Sequence, residues 1–165
     1  SMLHELLVGS DTLTLVNNHL ESNKLTKADK ALYEEIIKDP NKNTVSAGGR
    51  TLLRKLAEAG VIRAGQADLL AERMAREARP TTIICGDFND IPVSYTHRVV
   101  QGDRRDAYVD AGSGPGISYN QNKFYFRIDN ILYSGALRAL RCRVDNSIKD
   151  SDHYPIYAYL SLENR

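Results

Sequence analysis

The sequence has little net charge, few cysteines and no long apolar run, and each shortage removes a class of answer. Twenty-two Lys and Arg against 21 Asp and Glu leave a formal charge of +1, so there is neither a strongly basic nucleic-acid arm nor an acidic tail. A local basic patch on a nuclease remains compatible with that balance. Two cysteines, Cys85 and Cys142, allow at most one disulfide and define no redox compartment. Cys85 ends the run Thr81-Thr82-Ile83-Ile84-Cys85 and reads as a buried free thiol. No stretch approaches the ~18 apolar residues of a membrane helix, and no signal peptide is visible. Eleven Gly and five Pro exclude collagenous and linker compositions, and there is no internal repeat. What is present is 42% apolar and 26% charged residues over 165 positions, the balance and length of one folded domain or part of one. Ser1 precedes Met2 and reads as a tag remnant, so the native N-terminus and any targeting signal are expected outside this sequence, and localisation is not indicated.

The local patterns predict strands around a helical stretch. Residues 3–8 and 12–16, separated by Gly9-Ser10-Asp11, predict a β-hairpin. Thr26, with Asp29 three residues on, is an N-cap signal; Leu25, Ala28, Leu32 and Ile36 continue at helical spacing to about Lys38, before Pro40. Residues 41–49 read as a polar loop. Residues 50–78 are helix-biased, with Gly60 dividing them into two helices and Ala67, Leu70, Met74 and Ala78 on one face; Met74 there is core filler. Residues 81–85 form a short strand buried on both faces, 87–92 a loop and 94–101 a short helix. Weak strands are predicted at 107–110 and 117–120, stronger ones at 124–133, 137–144 and 154–162. The last puts Ile156, Ala158, Leu160 and Leu162 on one face and Tyr157, Tyr159 and Ser161 on the other. Such an arrangement is α/β or α+β and layered.

Four short stretches have residues that can carry chemistry. In Gly86-Asp87-Phe88-Asn89-Asp90, an extended chain points Asp87 and Asn89 the same way and Phe88 into the core. A carboxylate beside an amide suits a hard metal or a polarised water; an Asx turn is the structural alternative. In Ser151-Asp152-His153-Tyr154-Pro155, Asp152 and His153 converge only on a loop or kink, and Pro155 favours an extended entry into the next strand. The bland alternative is a surface turn. In Arg127-Ile128-Asp129-Asn130-Ile131-Leu132, Asp129 is costly on an apolar strand unless paired. Arg127 is its structural partner and a histidine its functional one. The fourth, Asn17-Asn18-His19-Leu20-Glu21-Ser22, ends a strand with His19 and Glu21 on one face, and taken alone reads as a polar strand end. Gly112-Ser113-Gly114-Pro115-Gly116 lacks the Lys of a P-loop, no Gly-x-Ser-x-Gly elbow occurs, and no Cys/His spacing fits zinc. Arg138, Arg141 and Arg143 read as a solvated face.

Together, in this order and separation, these stretches resemble the endonuclease/exonuclease/phosphatase superfamily, the metal-dependent phosphoesterases that include type I DNases, apurinic exonucleases, inositol polyphosphate phosphatases and sphingomyelinases. The resemblance runs from about Leu3 to Leu162. It implies half or most of a DNase I-like four-layer α/β sandwich, with a mixed, mostly antiparallel sheet and helices on the outer face. The family's opening strand with an Asn, and the Glu that anchors its metal, have no counterpart here. Residues 1–165 therefore resemble the C-terminal part of a single catalytic domain.

Carried over residue by residue, the resemblance implies that Asp87 orients or deprotonates the attacking water and that Asn89 holds that water or a phosphoryl oxygen. Asp152, with Asp87 as a further candidate, binds Mg²⁺ or Mn²⁺. His153 contacts the phosphoryl group, Asp129 orients His153, and His19 contacts the phosphate. The expected reaction is divalent-metal-dependent hydrolysis of a phosphoester by metal-assisted water attack. The substrate class stays open between nucleic acid, phosphoinositide, phospholipid and sugar phosphate; a charge of +1 mildly disfavours an enzyme that must track duplex DNA. The alternative is a catalytically silent fragment that self-associates as a homodimer through an uncovered sheet face, in place of the missing N-terminal half.

Overall fold

Alternating apolar and β-branched residues form the N-terminal hairpin. β1 (Met2–Val8) and β2 (Asp11–His19) pair antiparallel from Met2↔Asn17 to Val8↔Asp11. Gly9 turns the chain at φ +63°, a left-handed value that costs glycine no Cβ clash. The computed structural model describes residues 1–38, 48–121 and 124–163. β2 runs to His19, and Glu21 lies beyond it, so the predicted shared face of His19 and Glu21 does not form. Instead, Glu21 Oε1 sits 2.6 Å from Lys24 Nζ.

The capping signal is realised in full. Thr26 Oγ1 accepts the Asp29 N–H at 3.2 Å, and Asp29 Oδ2 accepts the Thr26 N–H at 2.8 Å, the reciprocal pair that satisfies two donors at a helix start. It opens α1 (Lys27–Lys38), and Lys55 Nζ, 2.6 Å from the same carboxylate, ties α1 to α2 (Gly48–Glu77). α2 is one continuous helix of 30 residues, not two. A glycine costs a helix interior about 1 kcal/mol, and the buried stripe Leu52, Ala59, Ala67, Leu70 and Met74 runs on both sides of Gly60 and outweighs that cost. Of the predicted 41–49 loop, residues 41–47 lie outside the described residues, and Gly48 and Gly49 belong to α2.

The main sheet has strand order β1-β2-β3-β7-β4. β3 (Thr82–Asp87) is parallel to β2 and antiparallel to β7 (Asp129–Tyr133), whose other edge holds β4 (Arg105–Asp106). On one face Val16, Ile84 and Leu132 meet Ala67, Leu70 and Met74 of α2 and Val100 of α3 (Tyr95–Gln101), with Phe88 buried among them. On the other, Ile83, Ile131 and Tyr133 meet a hairpin of β8 (Leu137–Val144) and β9 (Ile156–Leu162) through Leu137, Cys142 and the predicted inner face Ile156, Ala158, Leu160 and Leu162. Both cysteines are free, Cys142 buried and Cys85 half-buried. On β1, the alternate residues Met2, Leu6 and Val8 of that second face stay exposed at 58%, 37% and 46%.

Two strand predictions are corrected. Residues 107–110 are not a strand but α4 (Ala107–Ala111), because Asp106 Oδ1 accepts the N–H groups of Tyr108 and Val109 and caps a helix there. Residues 124–133 are not one strand. β6 (Phe124–Phe126), paired with β5 (Tyr119–Gln121), is separated from β7 at Arg127 and Ile128. The N–H groups of Ile128 and Asp129 donate to Ser118 Oγ at 3.1 and 3.0 Å, and Arg127 turns inward. Its guanidinium forks onto Asp106 (3.0 and 2.7 Å) and donates to Asn130 Oδ1 at 3.0 Å. Arg127 therefore pairs with Asp106, not with Asp129.

Burial opposes the charge on Asp106, but His97 and Arg127 beside it hold its carboxyl well below the usual carboxylate range. A lowered folded value makes this stabilisation fully present above the unfolded pKa of about 3.9 and lost only as pH falls through the folded one. Asp106→Ala leaves a buried guanidinium unpaired, and urea unfolding at neutral pH is expected to show a loss of about 3–5 kcal/mol. Glu5→Ala, which breaks the exposed pair with Arg79, is expected to cost less than about 1 kcal/mol. Comparable losses for the two variants would show that the buried pair does not hold this region.

Candidate active site

Strand register assembles the site. His19 ends β2, Asp87 ends β3 and Asp129 begins β7, and the pairings His19↔Asp87 and Asp87↔Asp129 set the three in one row across the sheet. Paired residues in adjacent strands project to the same face, so one imidazole and two carboxylates emerge side by side at the sheet's end. His19 Nε2 is 3.7 Å from Asp87 Oδ2. His153 arrives from the loop before β9, held by a bridge between Tyr119 and His153 and by Tyr154 N–H donating to Ser118 O at 2.7 Å.

His153 Nδ1 and Asp129 Oδ2 are 2.7 Å apart. A carboxylate only accepts, so Nδ1 carries the proton and Nε2 is the atom turned to the cleft, 3.9 Å from Asp87 Oδ2. Asp129 thus has the histidine partner, the functional one of its two predicted readings. The Asp129 hydrogen bond pushes the His153 pKa above its usual value, against the opposing effect of burial. Asp87 is also raised, chiefly by burial and further by the Asp129 charge, while the Asn89 N–H and the two histidines act the other way.

The Gly-Asp-Phe-Asn stretch works differently from the extended form predicted. Asn89 sits at φ +51°, so the chain turns rather than extends, and the Asx-turn alternative is the geometry found. It still joins the two side chains: Asn89 N–H donates to Asp87 Oδ1 at 2.7 Å, and Asn89 Nδ2 donates to Asp87 Oδ2 and Leu20 O, each at 3.0 Å. Phe88 is fully buried, as expected. Gly86 has φ +139°, and a Cβ there would lie 1.8 Å from Asn18 O, so only glycine lets β3 approach β2 this closely before Asp87.

One ligand atom each from Asp87, Asp129 and His153 falls within a 4.8 Å group. Two half-buried carboxylates with an imidazole fit a small hard cation by donor chemistry, and the burial of like charges is what such a cation relieves. Asp152 lies outside this trio; it is exposed, on the rim of the same cleft. The cleft, about 800 Å³, is also lined by Lys24, Lys30, Tyr33, Arg63, Tyr119, Phe124 and Phe126, none of which the motifs indicated. Arg63 had a signal: it interrupts the buried stripe of α2 between Ala59 and Ala67. Only 5% exposed, it holds the cleft wall by donating to Asp90 Oδ2, Glu21 O and Asn23 Oδ1.

A raised folded pKa on His153 means that its contribution to stability is fully present below about 6.5 and fades as pH rises through the folded value. In chelator-treated protein, NMR titration is expected to place the His153 pKa above the usual value and the Asp129→Asn variant to bring it down. An unchanged titration in that variant would show that the carboxylate does not hold the imidazolium.

No curated protein sequence matches the chain. Among solved structures it is similar to D. rerio TDP2 complexed with single strand DNA product, at 18% identity over 96% of this chain and 60% of that one, with a TM-score of 0.60. It is similar to an endonuclease/exonuclease/phosphatase from Beutenbergia cavernae DSM 12333 at 17% identity, over 98% and 39% of the two chains, TM-score 0.58. A functionally unknown conserved protein from Enterococcus faecalis V583 is 18% identical over 93% and 51%, TM-score 0.53. The chain spans about half the length of the solved structures it resembles. Identities this low carry the fold, a DNase I-like α/β architecture with a mixed, mostly antiparallel sheet. Residues 34–153, most of the chain, match the Endonuclease/Exonuclease/phosphatase family, and the chain belongs to that family.

Proposed function

We propose that the chain carries the C-terminal part of the catalytic centre of a divalent-metal-dependent phosphoester hydrolase. The observation that supports this reading best is the row His19–Asp87–Asp129 with His153 closed onto Asp129. In this reading Asp87, with Asp129 and the rim carboxylate of Asp152, would hold Mg²⁺ or Mn²⁺, which when bound neutralises charge on the phosphoryl and leaving oxygens.

The protein's own groups do the rest. Asp87, made more basic by burial, accepts a proton from the attacking water and aims it. Asn89, whose N–H groups fix the Asp87 carboxylate, offers its amide oxygen to that water. His153 presents Nε2 to the phosphoryl oxygens, with Asp129 fixing the ring and favouring the cation. His19, on the other side of Asp87, contacts the phosphate and stabilises the charge that develops there. Nucleic acid, phosphoinositide, phospholipid and sugar phosphate all remain within this chemistry; a TDP2 of the same fold is complexed with a single strand DNA product.

The test is hydrolysis of a generic phosphodiester and a generic phosphomonoester with Mg²⁺ or Mn²⁺, by this chain and by its longer parent. Asp87→Ala and His153→Ala are expected to lower turnover by about 10²–10⁴-fold; retained activity in either variant of the parent sinks the proposal.

A second reading, self-association, has one observation in its favour: the β1 residues Met2, Leu6 and Val8 are exposed on one sheet face, with His4 between Met2 and Leu6, and an uncovered apolar face favours a partner. A second copy laying its own face there gives a homodimer. Light scattering is expected to return a dimer mass at high concentration; a strict monomer counts against it.

A further inference from the structure

We propose that the cleft seats an unpaired nucleobase, so that the phosphoester presented to the Asp87–Asp129–His153 group belongs to a single-stranded or frayed nucleic acid. This inference rests on the phosphoester-hydrolase reading of the same site and adds the substrate class to it.

The argument starts from what stands next to His153. The Tyr119 ring lies edge-on to the His153 ring, with centroids 5.1 Å apart. Lys30 Nζ is 2.7 Å from Tyr119 Oη and 5.5 Å from the centre of its ring. One helical turn from Lys30 on the same face of α1 is Tyr33, and Tyr33 stacks on Phe124 with centroids 3.8 Å apart and planes 21° apart. Phe126 meets Phe124 edge-on at 6.0 Å. Moving away from the phosphoryl-binding histidine, the cleft therefore offers an aromatic ring, an ammonium group and then a stacked aromatic wall. All four rings line the cleft, Phe124 buried and Tyr33, Tyr119 and Phe126 half-buried.

The chemistry of that series discriminates among the phosphoesters. A flat ring continues the Tyr33–Phe124 stack on its open side, and every nucleobase has such a face whatever its sequence. An ammonium between the wall and the histidine suits the backbone phosphates. A duplex hides its base faces in the stack, and tracking it wants more positive charge than a chain at +1 carries. A sugar or inositol phosphate presents a saturated polyol, which can lay C–H groups on a ring but has no flat π face to continue the stack. An acyl chain would accept any apolar wall, and this difference supplies the control.

The experiment measures binding apart from cleavage, in the Asp87→Ala protein with Mg²⁺, by fluorescence anisotropy of a short labelled oligothymidylate and of an abasic strand of equal length. The base-bearing strand is expected to bind about 5- to 150-fold more tightly than the abasic one, the span set by stacking one base. Tyr33→Leu keeps an apolar side chain but removes the π face, and is expected to erase most of that difference while leaving abasic binding unchanged; Tyr33→Phe is expected to preserve it. Equal binding of the two strands, or a preference that survives Tyr33→Leu, overturns the inference, as does tighter binding to phosphatidylcholine vesicles than to the strand. Cleavage of generic esters by the parent without base preference would defeat this inference and leave the hydrolase reading standing. Base-dependent binding with no cleavage of any ester would do the reverse.

Discussion

β3 is hydrogen-bonded on both sides, parallel to β2 and antiparallel to β7, and its register to those neighbours is the constraint on which the site depends. Because side chains alternate with period two, a slip of one residue in either pairing would send a whole strand's side chains to the opposite face. Apolar burial enforces the register: Val16, Ile84 and Leu132 face α2 and α3, while Ile83, Ile131 and Tyr133 face β8 and β9. With both faces of β3 and β7 committed, the end row His19–Asp87–Asp129 follows with no interaction of its own. The apolar interior thus sets the spacing of the chemistry, and the polar groups only tune it. Gly86 is part of the same constraint, since the close approach to Asn18 that a Cβ would forbid is what carries the ladder as far as Asp87.

A second, buried layer of charge keeps the chemical groups available. Asp106 binds Arg127 in a fork and caps α4, and Arg127 also reaches Asn130. Since Arg127 is engaged there, it does not neutralise Asp129, which is left for His153. Arg63 plays a similar part across the cleft, where it joins Asp90 to the segment around Glu21 and Asn23. Both arginines are nearly inaccessible, and both hold loops whose backbones carry or flank site residues. Their burial is tolerated because each guanidinium donates three hydrogen bonds, one or more of them to a carboxylate.

The site was more legible in the sequence than the fold around it, for a physical reason. Asp87, Asn89, Asp129 and His153 lie in short motifs at strand ends or in the loops beside them, where polar residues stand out against the apolar pattern of the strands. The elements that depart from expectation are those decided at long range. Nothing local says that Gly60 continues a helix; a buried stripe on both sides of it does. Residues 107–110 have strand-like composition, and a cap from Asp106 overrides it. The 124–133 run reads as a single strand until Ser118, ten residues upstream of Ile128, takes the amides at the break. Of the two readings of Asn89, extended backbone or Asx turn, the turn is found, and it brings the amide onto Asp87. The aromatic cleft wall left no motif, because its rings come from α1, β5 and β6 at unrelated positions in the chain.

The charges of the cleft are arranged unevenly, and the unevenness has a direction. Arg63 is engaged by Asp90, Lys24 by Glu21, and Lys30 lies against Tyr119, so the carboxylates of Asp87, Asp129 and Asp152 face mainly His19 and His153. Two imidazoles do not balance three carboxylates, and part of that acidity is half-buried, where like charges repel more strongly than in water. A phosphate anion would be repelled by the group as it stands. Burial, with the Asp129 charge adding to it, raises the Asp87 pKa, and the Asp129 hydrogen bond raises that of His153. An acidic cluster of this kind, with a histidine held on one of its carboxylates, fits a hard cation by its donor chemistry. The oxygens of Asp87 and Asp129, side by side at the ends of β3 and β7, with the Asp152 carboxylate exposed on the rim, are where such a cation would be received.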